Sequence, residues 1–442
     1  MFREHRARFL ERLAAANAAA IVPAGGLKIR NHDSEYRFRP RSDFYYLTGF
    51  REPDAVLVLV PANEGATSVL FVNEKDREAE TWNGRRLGTA AAPAELGVER
   101  AHPIGELWTR LAELLPGHAR LVHAFGEDAD FDRELLACVG ALQRKGRATR
   151  PAPREWLEPA LLLHELRLRK DEHELACMRA AARVSAEAHR AVMAAARPGT
   201  NERELDALLD YTFRRRGGTG SAYGNIVAGG AGACILHYRE NDRPLVAGEL
   251  CLVDAGCEWD FYASDVTRTF PVGGRSSREQ RALYELVLRA EEAAIARVRP
   301  GATHDEVHAT ALAVLVDGLL ALGLLSGTRD EALAQHSYRR FYMHRTGHWL
   351  GLDVHDCGLY ALDGAPRAFE PGMVTTVEPG LYVAPDDEGV EPRWRGIGIR
   401  IEDDVLVTAD GHEVLTQDTP KSIDEVEALC RGERALAGAR RA

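Results

Sequence analysis

The sequence predicts an α+β protein built from two domains. Three observations carry this. Short β-branched runs alternate with helical patterns before residue 165; prolines cluster at 150–160; capped helices and glycine-rich strands follow. The chain has 442 residues, which suits two or three domains of about 100–200 residues each.

In the first domain, 1–165, AVLVLV (55–60) and SVLFV (68–72) have strand length and β-branched content, and ARLVHAF (119–125) reads as another strand. Segments 105–115 and 130–142 have helical spacing, with Leu107, Leu111, Leu114 and Leu115 on one face. RPAPREWLEPA (150–160) is a candidate linker. The second domain, 166–442, opens on a helix over roughly 170–197 that Pro198-Gly199 ends. Asn201 with Glu204 forms a capping box ahead of an apolar face of Leu205, Leu208, Leu209 and Phe213. Thr303 with Glu306 forms a second one before a helix to about 322. The stretch from about 422 is charged and suits either a helix or a frayed tail.

A chain that is 45% hydrophobic and 28% charged can bury a large core without disulfides or a structural metal. Its net charge of −11 argues against nucleic-acid partners and against anionic membrane surfaces. The seven cysteines are odd in number and form no CxxC pair, so a reducing compartment is expected. Glu11 and Arg12 interrupt the place where a secretory segment would run apolar, and no apolar stretch reaches the roughly 18 residues that span a membrane. The expectation is a soluble cytoplasmic protein.

Four segments carry chemistry. GELCLVDAGCEWDFYASDVTRTFPV (248–272) holds Asp254 and Asp265. A two-residue turn at Trp259-Asp260 would set them directly opposite each other, with β-carbons about 4.5–5.5 Å apart, where like charges repel unless a cation lies between. Alone, the pair also fits a solvated surface hairpin. HRTGHWLGLDVHD (344–356) packs His344, His348 and His355 around glycines, and imidazole is the commonest nitrogen ligand. VTTVEPGLYV (374–383) places Glu378 after a β-branched run, where an exposed strand-end carboxylate is the plain alternative. In GIGIRIEDDVLVT (396–408), Ile397, Ile399 and Ile401 alternate with Gly398, Arg400 and Glu402, so Arg400 and Glu402 share one strand face. Four carboxylates with one imidazole balance the charge of two divalent ions. Manganese, cobalt or zinc suit such a set better than copper or an iron–sulfur cluster.

With these segments, and with ILHYREND (235–242), HDSEYRFRPRSDFYYLTGFREPDAVLVLV (32–60) and TWNGRRLG (81–88), the sequence resembles the creatinase/aminopeptidase family of pita-bread metallopeptidases. The bacterial aminopeptidase P, or Xaa-Pro aminopeptidase, branch is the most similar, through almost the whole chain. The resemblance implies a pita-bread catalytic domain over 166–442 behind a smaller α/β domain over 1–165 that shapes the site and builds an oligomer. It implies two divalent ions, manganese first, on Asp254, Asp265, His348, Glu378 and Glu402, with Asp265 and Glu402 bridging. Glu378 would carry the proton, His237 and His355 would handle the substrate, and His344, Tyr382 and Arg400 would form the substrate-binding surroundings. Trp82 and Asp33 match positions that reach a neighbouring subunit's site, which implies a homo-oligomer, dimer or tetramer. Arg345 stands where the family usually has a small residue.

The implied activity is hydrolysis of the Xaa-Pro bond, releasing the first residue of peptides with proline second. The alternatives are a prolidase restricted to dipeptides and a non-catalytic peptide-binding relative. SDFYYLTGF favours aminopeptidase P over prolidase by resemblance, and the complete ligand set argues against a non-catalytic relative. The N-terminal domain argues against a methionine aminopeptidase.

Overall fold

Alanine has little intrinsic preference for strands, yet Ala18–Pro23 (β1) is buried at every position and runs through the middle of a six-stranded sheet. The remaining strands are Val56–Leu59 (β2), Ser68–Val72 (β3), Arg100–Pro103 (β4), Arg120–Val122 (β5) and Glu155–Leu157 (β6), in the order β4-β3-β2-β1-β5-β6. β1 is antiparallel to β2 (Ile21↔Val58) and parallel to β5 (Ala19↔Leu121). Burial throughout β1, β2 and β3 marks a sheet covered on both faces. Helices Leu107–Leu114 (α1) and Ala129–Gln143 (α2) seat Leu111, Leu135 and Val139 against Ile21, Val58 and Phe71. The proline-rich stretch 150–160, expected as a linker, instead supplies edge strand β6, paired in parallel with β5 (Leu121↔Trp156). Its prolines flank the strand, where they remove no ladder hydrogen bond.

This computed structural model describes residues 1–61, 67–144 and 150–432. The chain divides into two units, Met1–Arg167 and Leu168–Ala442.

The second unit is built on helix pairs. Helices Glu172–Ala195 (α3) and Glu202–Arg215 (α4) start with capping boxes, Asp171/Glu174 and Asn201/Glu204. Helices Arg278–Ile295 (α5) and His304–Ala321 (α6) start with Ser277/Gln280 and Thr303/Glu306. α5 lies outside the expected helices, although its Ser277/Gln280 box is of the same kind. The charged stretch from 422 yields a helix, Ile423–Cys430 (α7); residues 433–442 lie outside the described residues.

The strands of this unit that frame the cavity and its supports are Ile226–Gly229 (β7), Leu250–Asp254 (β8), Cys257–Trp259 (β9), Tyr262–Ala263 (β10), Thr267–Pro271 (β11), Val374–Val377 (β12), Gly380–Tyr382 (β13), Gly398–Arg400 (β14), Asp403–Val407 (β15) and His412–Val414 (β16). They form the sheets β7-β8-β11, β12-β15-β16 and β13-β14, and β9 pairs with β10. One core joins Val184, Leu209 and Phe213 of the first helix pair to Val253 and Phe270; the other joins Val287, Leu315 and Val316 of the second pair to Ile399, Ile401 and Val405. Each pair covers one face of strands whose other face is left for polar side chains.

Candidate metal centre

The aspartate-bearing hairpin corrects the expected register. The tight turn is at Asp260-Phe261, not Trp259-Asp260, because both of these residues adopt positive φ (51° and 68°), as a type I′ turn requires. Trp259 therefore pairs with Tyr262, and Asp254 lies opposite Thr267 rather than Asp265. Asp265 is two residues away from that partner, so it stays on the same face. The carboxylates meet diagonally, joined by a residue the sequence reading passed over. The Tyr223 hydroxyl bonds Asp254 Oδ1 at 2.6 Å and also Asp265 Oδ1.

Gly256 makes this crossing possible. A Cβ built there would lie 1.6 Å from the Ser264 carbonyl oxygen. Gly256→Ala is expected to push the strands apart and cost roughly 1–3 kcal/mol, the usual penalty for overpacking. Urea unfolding with an unchanged midpoint would refute this.

His348 arrives on the segment joined to β12 by the Trp349↔Thr375 bridge. Its backbone N–H donates to Thr376 Oγ1 at 3.1 Å, and its Nδ1 lies 3.0 Å from the Trp349 carbonyl, leaving Nε2 to face the carboxylates. Gly347 allows that approach, since a Cβ there would sit 2.0 Å from the Thr376 carbonyl oxygen. Nε2 is 3.4 Å from Asp265 Oδ2 and 3.6 Å from Glu378 Oε1. Glu378 follows β12, and its other oxygen is 3.9 Å from His344 Nδ1. Donor atoms of Asp265, His348 and Glu402 lie within 4.8 Å of one another.

The alternation read from 397–402 holds: Ile399 and Ile401 are in the core while Arg400 and Glu402 face the other way. That face meets a cavity of about 1430 Å³ rather than open water. Asp254, Asp265, His348, Glu378, Arg400 and Glu402 all line it. Arg400 binds three groups at once: Asp254 Oδ2 at 2.6 Å, Thr267 Oγ1 at 3.0 Å and the Tyr382 hydroxyl at 3.0 Å. Thr267 in turn donates to Glu402 Oε2 at 2.6 Å.

Two further carboxylates were not foreseen. Asp404 accepts the Asp265 backbone N–H, with both oxygens at 3.2 Å. Asp403 pairs with the fully buried Arg268 at 2.6 Å and with Lys421 at 2.6 Å; Lys421 also reaches Glu291 at 2.8 Å. Arg268 donates to the Glu402 carbonyl at 2.6 Å, so this network anchors the backbone under Glu402. No local pattern announces these roles, because every partner is distant in sequence.

The remaining expected residues line the same cavity or back it. His237 and His355 are exposed on its wall, and the His355 ring stands 4.4 Å from that of His348. His344 also lines it, with Nε2 2.9 Å from the Tyr382 hydroxyl. Tyr382 is buried behind the wall, between His344 and Arg400. Arg345 turns to an ion pair with Asp305. In the other unit, Trp82 is 81% exposed on a helix with no buried residue, and Asp33 is exposed.

The electrostatics suit a cation. Burial, with the charges of Asp265, Glu378 and Asp254 added, drives Glu402 well above the usual carboxylate range. Burial raises Asp254 as well, against the opposing pull of Arg400, and lifts Glu378 to about 7 despite His348 and Arg400. Burial alone would lower His348, but its hydrogen bond to Asp265 and the charges of Glu378 and Asp265 hold it up to about 9. Burial and then Arg400 bring His344 down to about 4, so it is neutral at pH 7. Ionised together, the buried Asp254, Asp265 and Glu402 and the half-buried Glu378 would carry more negative charge than Arg400 and His348 balance, and divalent cations remove that conflict. This oxygen-rich donor set with one imidazole fits such ions.

Comparison with known proteins identifies the family. Residues 176–409 match metallopeptidase family M24, and residues 2–123 match the aminopeptidase P N-terminal domain. The chain is 44% identical to the Xaa-Pro aminopeptidase of Escherichia coli K12 over 97% of both chains, and 41% identical to that of Haemophilus influenzae over 97% of this chain and 96% of that one. Its structure resembles Pseudomonas aeruginosa aminopeptidase PepP, with a TM-score of 0.94 at 48% identity over 98% of both chains. It also resembles an E. coli aminopeptidase P variant solved in complex with substrate, with a TM-score of 0.91 at 43% identity over 97% of this chain and 98% of that one. The α+β architecture, an N-terminal domain followed in sequence by a pita-bread domain, is the expected one. The chain belongs to metallopeptidase family M24.

Proposed function

We propose that this metallopeptidase removes the first residue of peptides whose second residue is proline. The observation that carries the reading is the convergence of Asp254, Asp265, His348, Glu378 and Glu402 on one cavity that His237, His344 and His355 also line. These five residues would hold two divalent ions, manganese first and cobalt or zinc as alternatives. Such ions supply a water acidified towards neutrality and a polarised scissile carbonyl.

The chain's own groups do the rest. Glu378 spans the space between His348 and His344, where it can accept a proton and deliver it to the leaving nitrogen. His237 and His355 line the same cavity and would donate to an oxyanion. Proline has no N–H and a fixed φ near −65°, so a peptidase that grips that N–H fails on it. Imidazole and aromatic rings, His344 among them, suit the pyrrolidine instead.

Arg400 acts through Asp254 and Tyr382 rather than on the peptide. Arg400→Lys cannot reproduce its fork of bonds and is expected to weaken metal binding about 10–100-fold, measured by metal titration. Wild-type affinity in that variant would remove the role.

The reading extends to a cytoplasmic homo-oligomer, a dimer or tetramer, whose N-terminal unit presents Trp82 and Asp33 to a neighbouring subunit. The seven cysteines form no disulfide, and no helix among the described residues is long and apolar enough to cross a membrane. The test is hydrolysis of Ala-Pro and Ala-Pro-Ala by metal-stripped protein after manganese is restored. Cleavage of the tripeptide after its first residue supports the proposal. Cleavage of the dipeptide alone identifies a prolidase, and inertness with every divalent metal leaves a binding protein.

A further inference from the structure

The first turns of α3 and the tip of the β9–β10 hairpin bring together donors that have no part in the cavity. An imidazole nitrogen of His173, the Cys177 sulfur and a carboxylate oxygen of Asp260 lie within 4.8 Å of one another. None of the three lines the cavity described above. We propose that they form a separate binding site for one zinc-type divalent cation.

His173 and Cys177 are four residues apart on α3, so they stand one above the other on the same helix face. Asp260 holds its position through the I′ turn at the hairpin tip. The hairpin is clamped to α3 on both sides of these donors. The Tyr262 hydroxyl donates to Glu174 Oε1 at 3.0 Å, and the Cys257 N–H donates to Ser185 Oγ at 2.9 Å. The donors therefore sit on two rigid elements fixed to each other independently of any ion.

The donor chemistry selects the ion. Nitrogen, sulfur and oxygen ligands together suit zinc better than magnesium or calcium, which take oxygen alone. Tetrahedral zinc, with bonds of about 2.0–2.3 Å, sets its donors roughly 3.3–3.8 Å apart. Binding would draw the donors together, and the exposed His173 side chain is the one with room to move. Solvent beside His173 supplies the fourth ligand.

The surroundings favour a cation. Burial and the carboxylates of Asp260, Glu174 and Asp171 push the Cys177 thiol up to about 12. Binding replaces the S–H bond by a sulfur–metal bond and releases that proton to solvent. The same hairpin leads back to Asp254 and on to Asp265, so an ion at its tip would pin the segment that carries both aspartates.

The test uses protein already loaded with manganese at the first centre and titrated with cobalt(II). The first centre contains no thiolate, so a thiolate-to-cobalt charge-transfer band in the near ultraviolet reports the second site alone. The band is expected to level off at the intensity of one thiolate–cobalt bond per chain, whatever cobalt also exchanges into the first centre, with one proton released at the thiol, and to be displaced by zinc. Cys177→Ser should abolish it. His173→Ala, a change at an exposed position that keeps the fold, should weaken binding at least tenfold. No band in the wild-type protein, or a band unchanged in either variant, would overturn the proposal. The readout is spectral, so it stands apart from whether the first site cleaves Xaa-Pro bonds.

Discussion

Glu378→Gln is expected to lower kcat on Ala-Pro-Ala by about 10²–10⁴-fold, the range that general acid–base groups contribute. Glutamine keeps the size and most of the shape of the side chain, so the packing beneath β12 survives. It cannot take up and return a proton, and it weakens one of the five donors around the centre. Metal content must therefore be measured beside the rate. Turnover should stay low when both ions are present, because the proton still lacks a carrier between the cavity water and the proline nitrogen. Substantial turnover in the fully metallated variant would show that another group, His344 or His355, moves the proton.

The second large effect concerns stability. Arg268 is fully buried, and besides Asp403 it binds the carbonyls of Thr267, Glu402, Thr419 and Pro420. Arg268→Met removes one partner of a buried pair and strands the other, which typically costs 3–5 kcal/mol. Lys421 still faces Asp403, which places the expected loss at about the lower end of that range. Removing both partners in Arg268→Met/Asp403→Leu should recover part of it, since no lone charge then remains. Denaturant midpoints give the comparison, and a single-variant loss under ~1 kcal/mol, typical of a surface pair, would contradict it.

The pair also has a pH signature. Burial opposes ionisation of Asp403, but Arg268 and Lys421 outweigh it and hold the carboxyl below its ordinary range. A depressed carboxyl contributes stability that is fully present above its unfolded value and disappears as pH falls through the folded one. The Arg268→Met variant should therefore lose less stability on acidification than the wild type.

Sequence could see what local chemistry dictates. The Asn201/Glu204 and Thr303/Glu306 boxes are formed as read, because both partners lie within one turn. The face shared by Arg400 and Glu402 was legible because strand alternation is geometric. Strand β1 was not, since three alanines and a proline carry no strand preference and the neighbouring strands impose the conformation. The hairpin register slipped because Phe261 at positive φ runs against residue preference, and tertiary packing overrides the turn rule. Tyr223, Thr267 and Asp404 stayed hidden for a different reason. A hydroxyl or carboxylate acquires its role only when segments up to about 140 residues apart in sequence meet it, as Asp404 meets Asp265.

The three consecutive acids 402–404 show what that meeting does to mutational tolerance. Glu402 faces the cavity, Asp403 the buried cations, and Asp404 the backbone of Asp265. A strand with one free face accepts substitutions at every second residue. Here each of the three side chains has a separate buried obligation, so a saturation library should show an unbroken block of intolerance. The edge strand β16, partly exposed along its length, should tolerate most replacements. A protein of this architecture can drift widely at its rim while these three adjacent codons stay fixed.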